Sequence, residues 1–256
     1  MKKYILILIA FAAFTSCKKE QAATKVETSD QQLVKITKTS AYGGGIISIN
    51  YSYNSAGKLI TEDAKTYERD EQQRITRILE PNTMTNRTDI HVYYKNAASN
   101  QVAYTFCTLK DNIGTDSVVY VHNTKGELVR TISYFRDLMY GKLSDAPVMS
   151  EYVLFNHDDA GNLMQWDDYK VQLSYETHCG SLSFSYYDKK INPLYTGDEV
   201  RATDIIWGGM LNNSTNNCTN AGSSSRVFEY RADGRPRSCV SHGAAADEYE
   251  LLFEYK

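Results

Sequence analysis

The chain has 256 residues, with 28 Lys+Arg against 31 Asp+Glu, a net charge of -3 and 42% hydrophobic residues. A balance this close to neutral lacks the basic footprint that phosphate recognition needs, so nucleic acid is excluded as the expected partner, as is a polybasic lipid-binding patch. Twenty Tyr and eight Phe against four Pro put the apolar mass in residues that suit pleated surfaces, which predicts an all-β fold.

The amino terminus reads Met1-Lys2-Lys3, an apolar run from Tyr4 to Phe14, and Thr15-Ser16-Cys17. That order of basic, apolar and small residues predicts a secretory signal peptide over 1–16. The apolar run falls short of the roughly 20 residues a helix needs to cross a bilayer. Cys17 resembles the acylated cysteine of a bacterial lipobox, although Phe14 stands where Leu is usual, and Lys18-Lys19-Glu20 resembles the charged segment that follows it in Bacteroidetes lipoproteins. The expected address is therefore the outer membrane, with membrane lipid as the partner of Cys17. Loss of 1–16 would leave 240 residues and a net charge near -5. Residues 17–32 hold almost nothing to bury and read as a flexible tether.

Residues 33–256 show no comparable polar gap and are expected to form a single all-β domain. Six copies of a degenerate motif run through it: an aromatic on a strand, an Asn or Asp opening a turn, then Gly, a polar residue and Leu or Ile. They centre on Asn54 and Gly57, Asp70 and Gln73, Asn96 and Ser99, Asn123 and Gly126, Asp158 and Gly161, and Asp233 and Gly234. Asn or Asp bonds its own backbone and Gly supplies positive φ, so each copy predicts a hairpin. The copies are separated by about 16, 26, 27, 35 and 73 residues, too uneven for a solenoid or propeller. An antiparallel meander forming a curved or barrel-like sheet is expected. Ile47, Ile49, Tyr51 and Tyr53 share one strand face, and so do Tyr249, Leu251, Phe253 and Tyr255.

Two stretches interrupt the pattern. Arg136–Ser150 mixes polarity around Pro147. Thr196–Ser225 runs from a short helix expected over Thr203–Leu211 into an Asn-rich loop, where binding residues would collect. Cys107, Cys179, Cys218 and Cys239 form an even set in a chain routed to an oxidising compartment. One bridge among the last three, or four free thiols, both fit.

Leu33-Val34-Lys35-Ile36-Thr37, the hairpin motifs, Tyr186-Tyr187-Asp188-Lys189-Lys190-Ile191-Asn192-Pro193-Leu194 and Tyr230-Arg231-Ala232-Asp233-Gly234-Arg235-Pro236 resemble Bacteroidetes outer-membrane lipoproteins of unknown function with a porin-like fold. The hairpins are also similar to the Tyr-Asp repeats of large secreted shell proteins. The resemblance implies a curved or barrel-like sheet and an outer-membrane home, and no activity.

No phosphate loop, nucleophile elbow or zinc-protease helix is present, and no cofactor or metal is expected. His178 with Cys179 and Cys239 with His242 are the nearest to metal pairs, but a disulfide or buried thiols beside surface histidines fit them better. Asp158-Asp159 reads as an ordinary turn in preference to a calcium loop. Trp166 and Trp207, outside the alternating stripes, are the candidate ligand contacts. The leading expectation is a noncatalytic binding module for a glycan or an envelope protein. A structural or assembly lipoprotein is second, and a two-carboxylate carbohydrate hydrolase is third. A glycan binder should show an outward aromatic strip, an enzyme a cleft of converging carboxylates, and a scaffold neither.

Overall fold

The computed structural model describes residues 32–40, 45–81, 87–109, 114–139, 142–143, 146–172, 175–195, 197–198, 214, 216–243 and 248–256. The first half of the chain supplies β1 (Leu33–Ser40), β2 (Ile46–Tyr53), β3 (Leu59–Glu62), β4 (Lys65–Arg69), β5 (Ile75–Leu79), β6 (Arg87–Tyr94), β7 (Val102–Leu109) and β8 (Gly114–His122). Then come β9 (Leu128–Met139), β10 (Lys142–Leu143), β11 (Val148–His157), β12 (Leu163–Gln172) and β13 (Tyr175–Ile191). The last four are β14 (Asn216–Ala221), β15 (Ser224–Tyr230), β16 (Pro236–His242) and β17 (Tyr249–Tyr255). No helix occurs among the described residues. Strands pair antiparallel in chain order and β17 returns to β1, so the sheet closes into a barrel. The two-residue β10 hangs on β9, which pairs onward with β11, leaving sixteen strands in the ring.

The motif turns explain how so many short strands stay in register. In five copies the first turn residue donates its N–H to the carbonyl four residues on: Asn54 to Lys58 at 2.9 Å, Asp70 to Arg74 at 3.0, Asn123 to Glu127 at 3.0, Asp158 to Asn162 at 2.9 and Arg231 to Arg235 at 2.8. The fourth residue takes positive φ in each, including 87° at Gly126 and 64° at Gln73. This is the three-residue hairpin loop, and the ladder shifts by one residue beside each copy. The Asn96 turn is longer and closes from Lys95 N–H to Gln101 carbonyl at 3.1 Å.

Because strands alternate in direction, all six motif turns lie on one rim, with the start of β1 and the end of β17. Neighbouring turns are laced together there. Asn54 Nδ2 donates to Gln73 Oε1 at 2.7 Å, Arg74 Nη1 to the Ser99 carbonyl at 2.7 Å, and Gln101 Nε2 to the Gly126 carbonyl at 3.0 Å.

The inward faces are those expected from the alternation. Tyr51, Leu251 and Phe253 are buried, and Ile49, Tyr53, Tyr249 and Tyr255 pack against the core. Toward the opposite rim the interior opens: inward-facing Ile47 and Phe135 are 51% and 37% exposed. Both expected excursions need correction. Within Arg136–Ser150 the chain continues β9 to Met139, forms β10 and begins β11, because the ladders with β8 and β11 satisfy backbone groups whatever the side-chain polarity. Pro147 falls just before β11, where no ladder N–H is needed. Within Thr196–Ser225, Asn216–Ala221 is strand β14, and the helix expected over Thr203–Leu211 lies outside the described residues. So do the signal peptide, Cys17 and the tether up to residue 31.

At the motif rim the segment after β13 folds into the barrel. Asn192 and Leu194 are buried there, and Asn192 Nδ2 donates to the Ser214 carbonyl at 2.9 Å. Asp198 then accepts a two-pronged ion pair from Arg69 on β4, at 3.0 and 2.8 Å, with side chains only 12% and 4% exposed. Around the ring, β4 and β13 are separated by seven strands in either direction, so the pair spans the interior. Arg69 is further held by the carbonyls of Leu59 at 2.9 Å and Gln73 at 2.6 Å. Removing one member of such a pair strands the other charge. Arg69→Met is expected to cost about 3 kcal/mol, measured as a shift in the urea midpoint, and a second change, Asp198→Leu, should recover most of it.

Candidate functional site

The outward face is divided. Across β17, β1 and β2 it carries Glu250, Glu254, Lys35, Ser48 and Asn50, with Lys35 and Glu254 paired at 3.0 Å. A bilayer-spanning barrel needs a continuous outward apolar band, and these strands do not supply one. Across β4 to β6, Arg77 binds Asp89 through two contacts of 2.7 Å and Glu68 at 3.2 Å, and Arg77 holds the Asp89 carboxyl below its usual range.

From β6 to β13 the outward face changes character. Tyr93 pairs with Tyr104, Tyr104 with Val119, Val119 with Ile132, Ile132 with Tyr152, Tyr152 with Tyr169, and Tyr169 with His178. One row thus crosses seven strands, about 29 Å at the usual strand spacing. Tyr93 and Tyr104 stack at 4.5 Å and 13° and are each 42% exposed. Tyr152 and Tyr169 stack at 4.7 Å and 11°, and the Arg130 guanidinium lies 4.2 Å from the Tyr152 ring centre. Direct cross-strand aromatic pairs of this kind stabilise the sheet beyond the area they bury. Phe106, Tyr134 and Val121 flank the row.

The His178 end is polar. Ser181 Oγ donates to Asp167 and lies 2.8 Å from His178 Nε2, while Gln165 Nε2 donates to both Asp167 oxygens at 2.9 and 3.1 Å. The Ser181 and Gln165 hydrogen bonds keep the Asp167 carboxyl below its usual range. The order is not that of a catalytic triad: the carboxylate takes the serine proton, whereas a triad's carboxylate holds the far nitrogen of the histidine. The Asp–Ser–His contact is a network of hydrogen-bonding groups beside a ring surface.

Inside the barrel, Glu151 on β11 faces Asp168 and Lys170 on β12. Burial and the adjacent Asp168 raise its pKa, against the pull of Lys170 and Arg87. Two neighbouring carboxyls on the inward face repel when both are ionised, which favours a proton on Glu151. Arg87 also ion-pairs with inward-facing Asp116.

Of the residues singled out in the sequence, Trp166 faces inward, paired with Phe155 and Leu182 and packed against the core, and Trp207 lies outside the described residues. The four cysteines from Cys107 to Cys239 are free thiols. Cys218 and Cys239 lie on β14 and β16 with β15 between them, about 10 Å apart and beyond disulfide reach. Burial pushes the Cys107 thiol up to about 11 and Cys239 up to about 12. Cys239 faces inward and His242 outward, so they share no ligand. Asp158 is filled by N–H donors from Ala160 at 2.9 Å and Asn162 at 2.8 Å, leaving a plain turn. The outward row was missed in the sequence because alternation reads only one apolar face. The runs Val118-Val119-Tyr120-Val121 and Tyr152-Val153-Leu154-Phe155, apolar at every position, are the signal that could have found it.

Because the Glu151 pKa lies above its ordinary value, near 4.5, ionising it opposes folding as pH rises through the shifted value. Glu151→Gln should therefore melt higher than the parent at pH 7, with the difference vanishing below pH 4. Equal destabilisation at every pH would contradict the assignment.

No family model matches the chain, and no curated protein sequence matches it. Solved structures share its fold. A porin-like protein from Bacteroides vulgatus ATCC 8482 superposes with a TM-score of 0.56 at 12% identity, covering 89% of this chain and 99% of that one. A porin-like protein from Bacteroides uniformis ATCC 8492 gives 0.54 at 11% identity, covering 90% and 99%. The chain is similar to these proteins in its all-β closed sheet.

Proposed function

We propose that this protein is a noncatalytic lipoprotein of the bacterial cell envelope that binds glycan through the outward aromatic row of β6 to β13. The observation that carries the reading is the exposed Tyr93–Tyr104 stack on a rigid sheet. Sugar rings offer apolar C–H faces bordered by hydroxyls. Here aromatic rings stand beside Arg130, Gln165, Asp167, His178 and Ser181, which supply donors and acceptors within the same surface. The near-neutral net charge favours an uncharged ligand over a polyanion. The envelope address is supported by the signal and Cys17 pattern and by fold likeness to the Bacteroides porin-like proteins.

The test is binding of the mature chain to a panel of neutral polysaccharides by calorimetry or array. Tyr93→Ala and Tyr104→Ala should each weaken binding about tenfold, in line with loss of one aromatic contact, while Trp166→Phe should not. Binding unchanged in both tyrosine variants would overturn the reading. Binding to no glycan would transfer the row to an envelope protein partner and make this an assembly lipoprotein.

A further inference from the structure

The end of β13 outruns its partner. Its last pair with β12 is Ser183 with Gln165, so Tyr186–Ile191 runs on past Leu163, where β12 begins, and stands at the motif rim. On the other side only Asn217 lies between the pairs Tyr187–Cys218 and Ile191–Asn216, so Asp188, Lys189 and Lys190 bulge from the ladder. Tyr186 and Lys189 take positive φ, 61° and 46°, a conformation that is costly for a bulky side chain. Thr219 Oγ1 donates to the Tyr186 carbonyl at 2.6 Å and holds it there.

The bulge sorts its side chains. Tyr187, Asn192 and Leu194 pack into the barrel, whereas Tyr186, Ile191 and Tyr195 are 76%, 57% and 45% exposed. Lys189 and Lys190 are exposed beside them. The headgroup layer of a bilayer accepts this mixture: tyrosine rings sit at the boundary with water, and lysine stems lie along apolar surface with the ammonium outward. The patch is not polybasic, since Asp188 adjoins the lysines and Arg231 pairs with Asp233 at 3.4 Å. Its chemistry suits a zwitterionic surface.

Position selects the partner. The described chain begins at Gln32 on this same rim, and residues 17–31 join it to Cys17. A flexible stretch of that length has a root-mean-square span of about 20 Å, so a bilayer holding Cys17 stays within reach of this rim. We propose that Tyr186, Ile191 and Tyr195 form a foot that docks the motif rim on the surface of that bilayer. The inference rests on the lipid-anchored reading of Cys17. The anchor supplies nearness, and the foot supplies orientation. The barrel then stands end-on, with the outward row of β6 to β13 on its side wall, clear of the lipid.

The acylated mature chain is floated with phosphatidylcholine vesicles whose acyl chains are plain or brominated, and tryptophan emission is read against the parent. With Tyr186→Trp, the added emission should move to shorter wavelength on flotation and be quenched by the brominated lipid. With Tyr175→Trp, at the opposite rim where Tyr175 is 78% exposed, it should stay water-like and unquenched. Flotation with no change at position 186 would overturn the foot while leaving the lipid anchor standing. Quenching at position 175 in its place would overturn it too, by putting the other rim on the membrane. A mature chain that carries no acyl group by mass spectrometry and does not float would remove the anchor and the foot together.

Discussion

Closure of the sheet by its terminal strands is the constraint from which the remaining structure follows. β1 pairs with β17 from Leu33 opposite Tyr255 to Ser40 opposite Tyr249. Once that seam is made, β1 and β17 have a partner on both sides, and every residue of the ring is assigned to the inside or the outside. A slip of one residue at the seam would turn Ile36, Leu251 and Phe253 out to water and bring Lys35 and Glu254 in. Closure also removes the exposed edges that make open sheets prone to aggregation. The seam lies beside the motif rim, where Lys256 N–H donates to the Gln32 carbonyl at 3.1 Å. The two ends of the domain, the laced turns and the inserted segment therefore share one end of the barrel. A lipid tether would leave from that end.

Much of this architecture was legible in the residues, because hairpins are local. Asn54, Asn123 and Asp158 open turns with their own side-chain oxygens, and Gly57, Gly126 and Gly161 take the positive φ that closes them. Gln73 holds the same conformation without being glycine, and the motif around it was readable only because its neighbours matched. Long-range chemistry left no such trace. Arg69 and Asp198 lie 129 residues apart, and nothing near either one announces the other. The continuation of β9 through Arg136 was hidden for a related reason: ladder hydrogen bonds depend on the neighbouring strand and not on local polarity.

The candidate binding surface was legible only in hindsight. Alternation marks one face as apolar and assigns the other to water, and that rule holds along β1, β2 and β17 except at outward Ile46 and Leu252. It fails on β6 to β12, where Tyr104, Phe106, Val119 and Ile132 face out while Cys107, Tyr120 and Val153 face in. The barrel thus presents a polar wall and an aromatic wall. A wall of paired rings is stiff, because cross-strand stacks fix each ring against its neighbour. Stiffness of that sort favours binding, since little side-chain freedom remains to be lost on contact. Trp166, by contrast, contributes to the core, where its bulk packs with Phe155 and Leu182.

The most direct test of the closed ring is amide hydrogen exchange along β1. With β2 on one side and β17 on the other, amides from Lys35 to Thr39 should all be protected, to a degree comparable with the middle of β7. An open sheet would leave the β17-facing amides of β1 and the β1-facing amides of β17 exchanging at near-solvent rates. That alternating pattern of fast and slow amides would contradict the account.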